Sequence, residues 1–108
     1  MDLLEYLDSW GLSPFGVWFD ALDAQAAAKV TTAITRLSRG NTSSVKGVGT
    51  GVLELKIGFG QGYRVYFGKD GEQLVILLAG GTKQRQQRDI AAAQERWQDY
   101  KKRKKGKE

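Results

Sequence analysis

Five basic side chains and one phenol carry most of the chemistry this sequence offers: Lys56, Arg64, Lys83 and Arg85, Lys46 in a glycine-rich stretch before them, and Tyr66. An arginine grips a phosphodiester through two parallel hydrogen bonds, and a lysine adds a point charge. A phenol ring supports an unstacked base. Such a set describes a site for a sugar–phosphate link, and single-stranded RNA presents that target. The 108 residues contain no cysteine and no histidine. Thiol catalysis, disulfides, most zinc sites, the serine triad and imidazole acid–base pairs are thereby removed. The same residues also read as solvated outward groups, with Glu54 pairing Lys56 or Arg64 across strands.

Two strands must position this set. Leu53, Leu55, Ile57 and Phe59 alternate with Glu54, Lys56 and Gly58, and Tyr63, Val65 and Phe67 alternate with Arg64 and Tyr66. Period 2 puts successive side chains on opposite faces, so burial of the first set turns Glu54, Lys56, Arg64 and Tyr66 to one outer surface. Gly60-Gln61-Gly62 turns the chain between the strands, and a hairpin suits Gly58–Gly62 better than a phosphate loop, which would precede a helix. Asp70-Gly71 signals the next hairpin. The unbroken apolar run Leu74–Leu78 is that of a central strand covered on both faces. Gly80-Gly81-Thr82 ends it, bringing Lys83 and Arg85 close to the same surface.

Helices complete the plan. Leu3–Leu7 reads as a short strand or a helix, Ser13-Pro14 opens a short helix to Leu22, and Asp23 caps a second over Ala24–Arg39. Ala26, Val30, Ala33, Ile34 and Leu37 form its apolar face, and Gly40-Asn41 stops it. Residues 40–51 read as a mobile connector. A last helix runs from Gln84 or Gln86 to Tyr100, with Ile90, Ala93 and Trp97 on one face and a frayed basic tail over 101–108. The expected order is β-α-α-β-β-β-α in one α+β domain over residues 1–100: an antiparallel sheet of three to four strands, two N-terminal helices and one C-terminal helix. Trp10, Trp18 and Trp97 are expected as core anchors, and Asp20 and Asp23 as helix-start groups.

The net charge of +5 equals the excess in residues 101–108, whereas residues 1–28 hold five acids and no base. Such a tail either touches phosphates or keeps the chain soluble. No apolar run reaches 18 residues, so no membrane span is expected, and the acidic opening lacks the basic start of a secretory signal.

The run Gly62-Tyr63-Arg64-Val65-Tyr66-Phe67, then Leu74–Leu78, Gly80-Gly81-Thr82-Lys83, Gln87 and Asp89-Ile90, resembles the addiction-module killer proteins. These are HigB-like, phage-derived members of the RelE/ParE toxin superfamily. Ser13-Pro14-Phe15, Trp18, Arg36-Leu37, Gly40-Asn41 and Val45-Lys46-Gly47 match as well, and the resemblance spans nearly all of residues 2–104. It implies a cytoplasmic toxin that cuts messenger RNA on the ribosome without metal or cofactor. It also implies a sheet with helices on one side, and a cognate helix-turn-helix antitoxin that holds the toxin inactive. By the same resemblance Lys56, Arg64, Lys83 and Arg85 are catalytic, with Lys46, Tyr66 and Arg88 as RNA contacts. Lys56 is then the base, Arg64 the clamp on the phosphorane, and Lys83 or Arg85 the partner of the leaving oxygen. The family commonly has Pro where Gln61 stands and Arg where Lys56 stands. Many members carry a C-terminal Tyr or His as general acid, where this chain has Asp89-Ile90. ParE-type relatives poison DNA gyrase instead, and a decayed toxin would only bind its antitoxin, so the fold does not fix the target.

Overall fold

Side-chain caps start the first two helices of the computed structural model, which describes residues 1–106. Ser13 Oγ accepts from the Gly16 N–H (2.8 Å) at the head of α1 (Pro14–Asp20). Asp23 Oδ1 accepts from the Ala26 N–H (2.8 Å) at the head of α2 (Ala24–Ser38). Each cap satisfies a donor that the first helical turn leaves free. Ala26, Val30, Ile34 and Leu37 form the buried stripe of α2, as their spacing requires.

The strands are β1 (Asp2–Glu5), β2 (Val45–Gly47), β3 (Leu53–Ile57), β4 (Tyr63–Asp70) and β5 (Leu74–Thr82). They form one mixed sheet in the order β1-β5-β4-β3-β2, with β1 parallel to β5 and every other pair antiparallel. The α+β class agrees with the sequence, but the sheet is larger than the expected three or four antiparallel strands. The added strand is β2, inside the segment expected to be a mobile connector. Its three residues pair with Leu53–Leu55 of β3, too short a run to leave a period in the sequence.

The last helix, α3 (Gln86–Gly106), follows a single 3-10 turn at Lys83–Arg85. It lies on the opposite face of the sheet from α1 and α2, which corrects the expectation of helices on one side. One core layer joins Phe15, Val30, Ile34 and Leu37 to Leu55, Val65, Phe67 and Leu77. The other joins Tyr66, Ile76 and Leu78 to Ala93 and Trp97 of α3. Burial of β5 on both faces is what its unbroken apolar run demands. The helix also continues through Gly106, past the expected end at Tyr100. Tyr100 OH donates to Asp70 Oδ2 (2.7 Å), and Lys104 Nζ pairs with Asp70 Oδ1 (2.5 Å). Arg103 Nη2 meets Asp99 Oδ2 at 2.6 Å while its Nη1 donates to the Leu7 carbonyl (2.6 Å). The cations of its last turn also suit the negative end of the helix dipole. The remaining tail residues, Lys107 and Glu108, lie outside the described residues. Trp97 is a core anchor as expected, whereas Trp10 is 87% exposed. Among the described residues, no helix is long and apolar enough to cross a membrane.

Trp97 reaches the sheet because Gly68 of β4 has no side chain: a Cβ there would overlap the indole ring. Gly68→Ala is therefore expected to destabilise the fold by about 1–3 kcal/mol, the usual cost of overfilling a packed core. Urea unfolding measures it as a lower midpoint at unchanged slope.

Candidate active site

The register of β2, β3 and β4 assembles the polar residues in two rows beneath the start of α3. Lys46 lies opposite Glu54, and Glu54 opposite Tyr66. In the next row Lys56 lies opposite Arg64, and Arg64 opposite Gly81 of β5. The second row depends on a β-bulge. Tyr66 pairs with Ala79 but Phe67 pairs with Leu77, so β5 carries an extra residue between them. Leu78 and Ala79 both reach the α3 core layer, and the alternation beyond them is inverted. Gly81 is thereby brought to the α3 face beside Arg64. Bulges commonly re-aim side chains in this way next to functional sites.

Gly81 makes room for Asp89 of α3, because a Cβ at Gly81 would overlap Asp89 Oδ2. One turn earlier, Gln86 Nε2 donates to Glu54 Oε2 (2.9 Å). The other Glu54 oxygen lies 3.7 Å from Lys46 Nζ and 3.6 Å from Arg64 Nε, Coulombic contacts too long for hydrogen bonds. Glu54 and Arg64 are 1% and 6% exposed. Four buried polar atoms among the described residues have no hydrogen-bond partner: Arg64 Nε and Nη1, Tyr66 OH and Asp89 Oδ2. All four belong to this cluster. Buried polar groups are nearly always paired with protein or water, so this concentration makes the cluster the candidate site for a polar ligand.

The electrostatics fit that description. Burial pushes the Asp89 carboxyl up from the ordinary carboxylate range, opposed by the nearby Arg85, Arg96 and Arg88. Burial likewise raises the Tyr66 phenol, with the Glu54 carboxylate beside it adding to the effect. A carboxyl whose pKa is raised in this way is suited to give up a proton as a general acid.

The structure brings Lys56, Arg64 and Lys83 together. Arg64 Nη1 and Lys83 Cβ would lie 3.6 and 3.9 Å from a Cβ on Gly62, and the Lys83 N–H donates to the Gly62 carbonyl. Lys83, Arg85 and Arg88 line one shallow cleft over the 3-10 turn and the first turn of α3. Lys46, Lys56, Lys83, Arg85 and Arg88 are exposed, as expected of substrate contacts. Arg64 and Tyr66 are not. Both were expected on an open face, and both are buried because α3 covers that face, so Tyr66 offers no exposed platform for a base. Sequence alternation gives the face of a strand but not what covers it. Three members of the cluster stand outside the set named from sequence as catalytic or RNA-binding. These are Glu54, legible there only as an ion-pair partner, Asp89, seen only at the position of the family's usual acid, and Gln86, which left no signal.

The sequence profile of the family described as "Phage derived protein Gp49-like (DUF891)" matches residues 17–98. That range includes every strand of the cluster, the bulge and most of α3. A protein of Haemophilus influenzae, itself described as uncharacterized, is 45% identical over 80 residues, covering 73% of this chain and 81% of its own. With the α+β fold and the cationic cluster in place, these matches fix the kinship at the level of the family: the chain belongs to the Gp49-like phage-derived proteins, within the RelE/HigB-like group of toxin–antitoxin toxins.

Proposed function

We propose that this protein is the HigB-like toxin of a toxin–antitoxin pair and acts as a metal-free endoribonuclease on messenger RNA at the ribosome. The gathering of all four unpartnered buried polar atoms inside a rim of exposed cations carries this reading. Lys46, Lys56, Lys83, Arg85 and Arg88 draw the RNA backbone to the cluster. Gln86 yields Glu54 to the substrate, and the phosphate takes the free N–H groups of Arg64.

Cleavage is a transesterification. The 2′-oxygen attacks phosphorus and passes its proton to the Glu54 carboxylate, 3.6 Å from Arg64 Nε; Lys56, directly opposite Arg64, takes that proton only as a neutral amine. Arg64 stabilises the charge that grows on the phosphorane. The bond from phosphorus to the 5′-oxygen breaks, and that oxygen takes the proton of Asp89. The products are a 2′,3′-cyclic phosphate and a free 5′-hydroxyl. Alignment of the nucleotide by the ribosome supplies a further part of the rate.

The test is expression of the toxin without its antitoxin, followed by mapping of message ends. New 5′-hydroxyl ends within open reading frames, lost on antitoxin expression, are the expected result. Unbroken message with DNA-damage signalling would instead mark a ParE-like gyrase inhibitor. Unbroken message with normal growth would mark a chain that only binds its antitoxin.

A further inference from the structure

The opposite edge of the sheet carries a second surface, remote from the cationic cluster because β1 and β2 are the two outer strands. The Asp2 N–H donates to the Gln73 carbonyl (2.6 Å) and the Tyr6 N–H to the Leu77 carbonyl (2.9 Å). In a parallel ladder a residue turns both of its main-chain groups to the same neighbour. Leu3 and Glu5, out of phase with Asp2 and Tyr6, therefore turn theirs to the open edge. Proteins usually blunt such an edge by shortness, charge (lysine above all), proline, a bulge or a covering loop. Asp2-Leu3-Leu4-Glu5 is short and acidic at both ends, but it contains neither lysine nor proline and pairs with β5 in unbroken register.

Apolar surface surrounds this edge. Leu4 and Leu7 are 53% and 49% exposed, and Trp10 stands free in the loop that follows. Under the strand, Leu3, Phe15, Phe19 and Ile34 line an open cleft between β1 and the two N-terminal helices. A strand added to β1 would send alternate side chains into that cleft and over Leu4.

Charge selects the occupant. A second copy of this chain, paired antiparallel over all four residues, would set Asp2 against Glu5 at both ends, and like charges directly opposite repel. The complement of acid-apolar-apolar-acid, in either direction, is base-apolar-apolar-base. Residues 1–28 also hold Asp8, Asp20 and Asp23 and no base; Arg103 and Lys104, which α3 brings near Glu5 and Leu7, are already paired with Asp99 and Asp70. We infer that the free edge of β1 is the docking site for an extended segment of a partner protein that carries two apolar residues between two basic ones and pairs as a sixth strand. The inference rests on this edge alone and does not depend on what the cationic cluster cuts.

The probe is the capped peptide Thr-Lys-Val-Ile-Lys-Thr, titrated into the full chain with amide exchange followed by NMR. The Leu3 and Glu5 amides are expected to gain protection. The Glu-for-Lys peptide is expected to bind at least tenfold more weakly, and the surface variant Leu4→Lys to weaken the basic peptide. Equal binding of the two peptides, or binding without protection of Leu3 and Glu5, overturns the inference. So does a concentration-dependent dimer that Leu4→Lys dissolves, since the occupant would then be a second copy.

Discussion

If the cluster cleaves RNA as proposed, Asp89→Asn is expected to lower cleavage by about 10²–10⁴-fold, the usual contribution of a general acid, and at the same time to stabilise the fold at neutral pH. Both effects come from one cause. Burial raises the Asp89 pKa, so the folded chain holds this proton more tightly than the unfolded chain does. Stability from this group is therefore full below the ordinary carboxylate pKa and is lost as pH rises through the raised value. Asparagine cannot ionise. Its melting temperature should match that of the parent in acid and exceed it above that window. The cleavage profile should change in parallel: the parent loses rate as Asp89 deprotonates, and the variant lacks that limb. Single-turnover cleavage of a short RNA across pH, with melting curves in the same buffers, checks both. A variant that cleaves at the parent's rate removes Asp89 from the chemistry.

Arg64→Lys is expected to cut cleavage by on the order of 10²–10³-fold, because a single ammonium replaces the fork that would meet the phosphorane. Lysine keeps the buried positive charge beside Glu54, so the fold should survive. Arg64→Ala does not keep it. Breaking a buried ion pair from one side costs about 3–5 kcal/mol, a large share of the roughly 5–15 kcal/mol that holds a typical domain. The alanine variant should therefore melt far below the lysine variant, although Gln86 and Lys46 still flank Glu54. Cleavage kinetics with circular dichroism melts separate the clamp from the structural pair. A folded Arg64→Lys protein with unchanged rate would show that the phosphate is held elsewhere.

The N-terminal helices were legible because their signals are local: a capping Ser13 or Asp23, a proline at the first position, and an apolar stripe every third or fourth residue. The β3, β4 and β5 strands were legible through period 2, the Asp70-Gly71 turn and the Leu74–Leu78 run. Weaker local signals told less. The three residues of β2 leave no period, and α3 was legible in its start and in Ala93 and Trp97 on its apolar face, but not in which side of the sheet it covers. Its start, Gln86-Gln87-Arg88-Asp89, reads as solvent-facing, yet Gln86 and Asp89 close over the cluster. The candidate site was correspondingly half legible: the cations could be named, and the carboxyl groups that would share the chemistry could not.

The sequence by itself determined which residues share a face of β3 and β4, because alternation is a property of the strand alone. Only the tertiary structure decided that this face lies under α3, that a bulge turns Gly81 toward Asp89, and that Arg64 and Glu54 are buried together. Those outcomes depend on contacts between segments far apart in the chain. The raised pKa of Asp89 is likewise set by its surroundings, since an aspartate has no raised pKa until something excludes water from it.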